Sequence, residues 1–487
     1  MPPSPLEALR QACLTPPEQP TETWLRSAGQ QTMDAMVDDY VHQGEEPVGH
    51  TTNRAEMESL LREPPPEAGM AFDQLLADFR AKVVGHSYRV SHPRFLAFIP
   101  GAPTFASILG DCLASEINLF AGVWKEAVGA AQVELVVLDW FKQFLGYPAF
   151  AAGLLTSGGS EANLTALVVA REGIPHEEHG RLVLYASEHR HWSVDRGAKI
   201  IGLCPAQIHP VECDASFRMR ADSLRGAVAN DRRAGRRPWL VLASAGTTNT
   251  GSVDPLRELA EFCAAENLWL HVDAAYGWPM VLTASGRQVL DGIDRADSIT
   301  LDPHKWFAQP FEAGGLLVRD GARLETTFRM RPEYMQDVVP AADEVNFCDR
   351  GIALTRRFRA MKIWFSIKLL GIAWFRRLIE HGCALARYAQ GLVDQAGCFE
   401  ITSPCRLSIV CFRFLPGQPM APNRIDELQQ EIAEELFRSG LAFLSTTRLN
   451  GRSTLRLCFV NGRTTATDVE NVVRALVEIG TRLGENA

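Results

Sequence analysis

The stretch LWLHVDAAYG at residues 268–277 decides the fold class. An apolar run, Leu268–Val272, ends at Asp273, and the small pair Ala274–Ala275 follows. Such a run predicts a buried strand, and ligands of open α/β sheets bind beyond the carboxyl ends of the strands. We therefore expect Asp273 either to cap a helix or to face a ligand, and the small pair leaves room for a flat group.

Similar apolar runs alternate with helix-like stretches between about residues 105 and 345. The predicted strands are Leu182–Ala186, Trp239–Ala243, Leu268–Val272, Ser298–Leu301 and Gly315–Val318, and the predicted helices include Glu161–Arg171, Met219–Ala229 and Leu256–Glu266. This alternation predicts a mostly parallel central sheet covered on both faces.

Three domains are expected from the pattern. Residues 1–95 form a proline-broken helical arm, residues 96–375 a large α/β domain and residues 376–487 a small α+β domain. The helical stretch Thr355–His381 leads into this last domain. Its predicted strands are Leu407–Phe414 and Thr454–Val460, and its predicted helices are Asn423–Arg438 and Asp468–Leu483.

Composition restricts the function classes. The 487 residues carry a net charge of −9, which argues against nucleic acid or an anionic membrane as the main partner. No apolar run approaches the roughly 18 residues of a membrane span, and the N-terminus has no signal-peptide pattern. The eleven cysteines are dispersed without a CxxC pair, which indicates reduced thiols. We expect a cytoplasmic enzyme or binding protein.

A second decisive stretch, SITLDPHKWF, lies at residues 298–307. Pro303 ends the strand, so the chain turns and presents Lys305 beside Trp306. An amine in such apolar surroundings is desolvated, which lowers its pKa and permits a Schiff base. A lysine whose ammonium group reaches solvent from the edge of the core is the simpler interpretation for an isolated Lys-Trp pair. The carboxylate of Asp273 on the neighbouring strand favours the functional one.

Two further motifs follow strands. A glycine turn at Gly158, Gly159 and Ser160 opens a helix, and its backbone N–H groups predict a phosphate cradle. His189 and His191 follow the strand Leu182–Ala186. Since residues two apart on an extended chain point to opposite faces, we expect one histidine to face a ligand, the other to face solvent, and no metal site.

Together, the motifs supply a phosphate cradle, an acid for a ring nitrogen, a desolvated lysine and a stacking ring. This set predicts pyridoxal 5′-phosphate (PLP) as the cofactor. The sequence resembles the group II PLP-dependent amino-acid decarboxylases, closest to the aromatic-L-amino-acid decarboxylase branch, from about His92 to Leu370. The motifs that carry the resemblance are HPRFLAFIP, TSGGSEAN, HRHWSVDRGAKIIG, GTTNTGSVDPL, WLHVDAAYG, DPHKW and RRFRAMKIWF.

The resemblance implies the type I, aspartate aminotransferase-like fold of PLP-dependent transferases. It implies that Lys305 forms the Schiff base, that Asp273 keeps the pyridine nitrogen protonated and that His191 stacks on the ring. The other residues that it assigns to the cofactor are Gly158, Gly159, Ser160, Thr247, Ala275, Asp302 and His304. Asp302 stands where animal enzymes have asparagine.

The resemblance also implies decarboxylation of an L-amino acid to its amine and CO2. Tyr334 matches the tyrosine of the family's catalytic loop, and with His191 it favours the amine over the aldehyde product of oxidative relatives. That aldehyde reaction, or decarboxylation of a non-aromatic or non-proteinogenic amino acid, remains the alternative. A catalytically silent homologue is a third hypothesis. The presence of Lys305 disfavours it, because a silent protein has no chemical need for this lysine.

Four residues are candidate substrate contacts where the motifs depart from the family: Pro100, Gly101, Phe120 and Trp124. Gly101 replaces a threonine, so we expect a wider pocket wall there. The family's active site lies at a dimer interface that the N-terminal arm wraps. We therefore expect a homodimer with a shared active site, an amino acid as the small-molecule partner, and neither nucleic acid nor membrane as a partner.

Overall fold

A computed structural model describes residues 4–14, 17–330 and 333–485. The chain divides into two compact units, Met1–Arg89 and Val90–Ala487. The first unit is helical, with α1 (Pro5–Cys13), α2 (Glu22–His42), α3 (Arg54–Leu61) and α4 (Phe72–Asp78). Side-chain oxygens of Ser4, Thr21 and Asn53 cap the first three helices at their N-termini.

The second unit contains the strands and the remaining helices. Its helices are α5 (Phe105–Ile117), α6 (Val128–Leu145), α7 (Gly159–Arg171), α8 (Ser193–Ile200), α9 (Ala221–Arg233), α10 (Leu256–Glu266), α11 (Ala284–Val289), α12 (Ala322–Phe328), α13 (Ala360–Leu370), α14 (Ile372–Ala396), α15 (Pro422–Arg438) and α16 (Ala466–Glu485). Its strands are β1 (Ala152–Thr156), β2 (Leu182–Ser187), β3 (Ile208–Val211), β4 (Arg237–Ser244), β5 (Trp269–Asp273), β6 (Ser298–Leu301), β7 (Gly314–Val318), β8 (Phe399–Ile401), β9 (Ile409–Phe414), β10 (Ser445–Leu449) and β11 (Arg452–Cys458).

Seven strands form the central sheet in the order β1-β7-β6-β5-β4-β2-β3. The pairs β2–β3, β2–β4, β4–β5 and β5–β6 are parallel, whereas β7 runs antiparallel to both β1 and β6. The predicted mostly parallel sheet is confirmed. Strands β5 and β6 are neighbours, with Asp273 opposite Thr300, so their carboxyl ends bring Asp273 and the turn at Lys305 to one edge.

Apolar side chains cover both faces of the central sheet. Along β4, Leu240 and Leu242 pack in one cluster with residues of α7 and α8, while Val241 and Ala243 pack in the larger cluster on the other face. This larger cluster contains stacked and edge-on aromatic rings, including Phe141, Trp278, Phe307 and Phe375. Burial on two faces explains why β4 reads as a continuous apolar run.

The C-terminal part forms a four-stranded antiparallel sheet, β10-β11-β9-β8, with α14, α15 and α16 packed against it. The predicted small α+β arrangement is confirmed. The predicted helical stretch Thr355–His381 contains two helices, because Gly371 adopts φ +71° and separates α13 from α14. The predicted domain boundary after residue 375 falls inside α14. Within the described ranges, no helix is long and apolar enough to cross a bilayer.

Candidate active site

A cavity of about 300 Å³ lies beyond the carboxyl ends of β4, β5 and β6. Most of the predicted site residues line it. The lining residues are Ser157, Gly158, Gly159, Ser160, Glu161, Asn163, His189, His191, Ser193, Ser244, Gly246, Thr247, Thr248, Asp273, Ala275, Tyr276, Asp302, His304 and Lys305. Three strands and the start of α7 thus converge on one space.

Lys305 lies in the turn that follows β6, where Pro303 prevents the strand from continuing. Its Nζ atom is 3.0 Å from Oδ2 of Asp302. The other carboxylate oxygen, Oδ1, is buried and has no hydrogen-bond partner among the described residues. Burial raises the pKa of Asp302 to about 6, and the nearby charge of Lys305 opposes that rise.

Asp273 ends β5 and faces the same cavity. Its Oδ1 accepts a hydrogen bond from the backbone N–H of Ala275 at 3.1 Å, and its Oδ2 accepts one from Nδ2 of Asn163 at 3.0 Å. Of the two uses that the sequence left open, the helix cap is not found, because the residues after Asp273 form a turn and the helical turn that follows has Gly277 as its N-cap. The carboxylate caps a turn and also faces the cavity.

The glycine turn begins α7, a helix of thirteen residues, with Gly158 as its N-cap. A Cβ atom on Gly159 would lie 2.9 Å from Oδ2 of Asp302, and one on Gly314 would lie 2.4 Å from Cα of Gly158. The glycines therefore let two backbone segments and a carboxylate approach closely. The first turn of α7 directs free backbone N–H groups at the cavity beside Ser160, which suits an anion.

The two histidines both line the cavity. Nδ1 of His191 is 2.8 Å from Oγ of Ser193, and the ring of His189 packs edge-on against Phe217. Burial lowers the pKa of both imidazoles. The expectation that one of the two histidines faces solvent is wrong, because the chain turns after β2 and does not continue as an extended strand, and both rings line the cavity.

The remaining predicted cofactor residues have defined partners. Oγ1 of Thr247 is 3.0 Å from Oγ1 of Thr250, within a buried hydroxyl cluster. Nδ1 of His304 accepts a hydrogen bond from the backbone N–H of Ala313 at 3.1 Å. Burial, together with the charge of Lys305, lowers the pKa of His304 to about 3, so the imidazole is neutral. Ala275 lies at the cavity wall.

The four predicted substrate contacts are Pro100, Gly101, Phe120 and Trp124. None of them is among the described residues that line this cavity. A Cβ atom on Gly101 would lie 1.8 Å from the carbonyl oxygen of Lys305, so Gly101 serves close backbone packing and does not widen a wall. The backbone N–H of Trp124 donates to Oδ1 of Asn346. Tyr334 belongs to a 3₁₀ turn, Glu333–Val338, but its side chain lies outside the described part of the chain.

Comparison with known proteins decides the family. The pyridoxal-dependent decarboxylase conserved domain matches residues 55–415, which is more than half of the chain. This chain belongs to the pyridoxal-dependent decarboxylases. The decarboxylase is 40% identical to the aromatic-L-amino-acid decarboxylase of Bacillus atrophaeus over 458 residues, covering 93% of this chain and 95% of that one.

Two more relatives bear on the reaction. The decarboxylase is 30% identical to phenylacetaldehyde synthase of Arabidopsis thaliana, covering 89% of this chain and 91% of that one. The crystal structure of Oryza sativa TDC with PLP and tryptamine superimposes with a TM-score of 0.91 at 28% identity, covering 96% of this chain and 99% of that one. The expected type I fold is therefore confirmed.

The cofactor of this decarboxylase is PLP, and the cavity fits it. The start of α7 has no room for a side chain at Gly159, and Lys305 supplies an amine. The carboxylate of Asp273 is suited to a protonated ring nitrogen. Sequence reasoning assigned no role to Asn163, which the structure buries. The sequence feature that could have identified it is a polar residue of weak helix propensity in the second turn of α7, on a helix face that is otherwise apolar.

Proposed function

We propose that this decarboxylase converts an aromatic L-amino acid to its amine and CO2. One observation carries the proposal. The carboxylate of Asp273 at the end of β5 and the amine of Lys305 in the turn after the neighbouring β6 face a single cavity, in a chain that is 40% identical to an aromatic-L-amino-acid decarboxylase. An aromatic substrate is supported by that relative and by the Oryza sativa structure with tryptamine.

The chemistry divides between the cofactor and the chain. PLP, when bound, withdraws the electron pair that CO2 leaves on the substrate's Cα. Lys305 supplies the amine that attaches the cofactor, and Asp273 holds a proton on the ring nitrogen. The backbone N–H groups at Gly159 and Ser160 would hold the phosphate. His191 and Ala275, which both line the cavity, would contact the ring.

A protonation step completes the reaction. The substrate's Cα needs a proton before the amine is released, and Tyr334 is the residue that we assign to it. His191 and Tyr334 both favour the amine. Phenylacetaldehyde synthase is nevertheless a relative at 30% identity, which makes oxidative conversion to an aldehyde the second candidate.

We further propose a homodimer. The helices of the first unit carry apolar side chains that are more than half exposed, and examples are Leu6, Leu9, Leu25 and Val41. Apolar surface of this extent on helices commonly marks an interface, and a second copy of this chain is the occupant that we propose. Light scattering of the purified protein tests this proposal, since a monomer at micromolar concentration contradicts it. We also propose a cytoplasmic location, which the eleven unpaired cysteines support.

The deciding experiment is an assay of the purified holoenzyme against a panel of L-amino acids. Amine, CO2, hydrogen peroxide and ammonia are measured together. Amine with equimolar CO2 and no peroxide from an aromatic substrate supports the proposal. Peroxide, ammonia and aldehyde would move the protein to the oxidative reaction, and activity restricted to aliphatic or acidic amino acids would refute the aromatic assignment.

A further inference from the structure

A row of buried polar side chains lies behind the cavity. Trp269, His271 and Asp273 alternate along β5, so their side chains share one face of the strand. In the neighbouring strand, Ser298 lies opposite His271, and Thr300 lies opposite Asp273. His271, Ser298 and Thr300 are fully buried. Asn163 of α7, which is also buried, joins this row to the cavity.

The amide of Asn163 is the centre of the row. Its Nδ2 donates to Oδ2 of Asp273 and to Oγ of Ser193, both at 3.0 Å. Its Oδ1 accepts from Oγ1 of Thr300 at 2.7 Å and from Nε2 of His271 at 3.0 Å. A primary amide has two N–H groups and two lone pairs, so every one of them is used. Since a carboxylate accepts only, the nitrogen must face Asp273.

These contacts fix the proton on His271. Oδ1 of Asn163 accepts only, so Nε2 of His271 must carry the hydrogen. Burial lowers the pKa of His271, so the ring is neutral and its Nδ1 accepts a hydrogen bond from Oγ of Ser298 at 2.8 Å. That hydroxyl in turn accepts from the indole Nε1 of Trp269 at 2.9 Å. The hydrogen bonds of this chain, from Trp269 through Ser298, His271 and Asn163 to Asp273, therefore all run in one direction.

A second branch reaches His191. Oγ of Ser193 accepts from Asn163, so its own hydrogen is available to Nδ1 of His191 at 2.8 Å. The backbone N–H of Ser193 donates to the same Nδ1 at 3.3 Å. Because a backbone N–H can only donate, this nitrogen of His191 is an acceptor, and the proton of the neutral ring is on Nε2.

We propose that Asn163 is a positioning residue that orients the carboxylate of Asp273 and the imidazole of His191 together, and that neutral His271 fixes the orientation of its amide. The inference rests on the proposed function for the roles of Asp273 and His191 at the cofactor. Hydrogen bonds aligned in one direction polarise one another, so the row strengthens the hold on Asp273.

The test compares two substitutions at buried positions, Asn163→Asp and Thr300→Val, and each nearly keeps the shape of the original side chain. Asn163→Asp keeps the oxygen that His271 and Thr300 use but replaces the donor to Asp273 with a second carboxylate oxygen. Thr300→Val is the matched control, because it removes one bond on the far side of the amide and leaves both donors. The apoprotein is titrated with PLP, by tryptophan fluorescence and by absorbance, at several pH values, and urea unfolding of both apo-variants is recorded.

We expect Asn163→Asp to weaken PLP binding about tenfold to a hundredfold at pH 8 and less at pH 6. Two adjacent carboxylates share one proton at the lower pH, which restores a donor to Asp273. Thr300→Val should lower stability but leave the dissociation constant within about threefold. A pH-independent loss, or equal losses of PLP affinity in the two variants, would assign Asn163 a structural role only and overturn the proposal.

A measurement on the unmodified apoprotein guards against a variant that fails to fold. Nitrogen-15 NMR of histidine-labelled protein distinguishes protonated from unprotonated ring nitrogens, and His191→Gln and His271→Gln variants assign the two signals. Both rings should carry their proton on Nε2. A proton on Nδ1 of either ring refutes the network. Absence of amine production by the wild-type holoenzyme would count against the proposed function instead, and it would leave the tautomers unaffected.

Discussion

Nζ of Lys305 lies 3.0 Å from Oδ2 of Asp302, while the other oxygen of Asp302 is buried without a partner among the described residues. This contact pairs the amine that attaches the cofactor with a carboxyl group whose charged form is disfavoured by burial. A single ammonium group does not fully offset that burial, since the pKa of Asp302 is still raised to about 6. The apo-site is therefore sensitive to pH.

Asp302→Asn tests this sensitivity. Because the folded pKa of about 6 lies above the ordinary value of 3.8, the native state binds more protons than the unfolded state between these values. Stability of the wild-type apoprotein therefore falls as pH rises through this window. We expect the unfolding free energy of Asp302→Asn, taken relative to that of the wild type, to rise by about 3 kcal/mol from pH 4 to pH 7, as measured by urea unfolding. The exposed variant Glu126→Gln should show no such trend, and a flat difference for Asp302→Asn would contradict the assignment.

Covalent attachment at Lys305 gives the second prediction. Reduction of the holoenzyme with borohydride should fix one PLP adduct per chain, and peptide mass spectrometry should find it on Lys305. Lys305→Ala should carry no adduct, whereas the exposed control Lys125→Ala should be labelled like the wild type. An adduct retained in Lys305→Ala would place the attachment site elsewhere.

Gly101 supplies the third prediction. A Cβ atom there would meet the carbonyl oxygen of Lys305 at 1.8 Å, so Gly101→Ala must displace the backbone that carries the amine. We expect a loss of about 1–3 kcal/mol of unfolding free energy and weaker PLP retention. Gly129 has no atom within 4 Å of its Cβ position and lies in α6, so Gly129→Ala should be neutral or stabilise by up to about 1 kcal/mol. Equal behaviour of the two variants in urea unfolding would refute this steric argument.

The fourth prediction concerns a buried ion pair behind the glycine turn. Arg356 donates to Glu134 at 2.6 Å, and both also bind the backbone of Leu155 in β1, which leads into the turn. Glu134→Gln leaves the buried guanidinium without a counter-charge. We therefore expect it to lower the free energy of unfolding, measured by chemical denaturation, by about 3–5 kcal/mol. Glu116→Gln, which changes an exposed carboxylate, is the control. A loss for Glu134→Gln no larger than for this control would show that the pair is dispensable.

Much of the sheet could be predicted because its strands are buried on both faces. β2, β4, β5 and β6 appear in the sequence as apolar runs that end in polar residues, and the structure places them within one or two residues of their predicted bounds. β1 and β3 were not predicted. β1 is short and contains a glycine, and β3 is interrupted by a proline and only partly buried, so neither gives a strong period.

The site could be predicted where residues follow a strand end, and it could not where contacts depend on tertiary packing. Asp273 and Lys305 were found from strand ends, and both line the cavity. The opposite orientations of His189 and His191 were predicted wrongly, because sequence spacing does not show that the chain turns after β2. Asn163 was missed, since its partners are 30 to 137 residues away along the chain.

The adjacency of β5 and β6 has a consequence for how this scaffold diversifies. The distance between the acid at one strand end and the amine just past the next is set by hydrogen bonds of the sheet itself. Loops that contribute to the cavity from other parts of the chain can therefore change without altering the spacing of the reactive pair. Replacement of loops can adapt such a scaffold to new substrates, while the strands keep the geometry of the reactive pair unchanged.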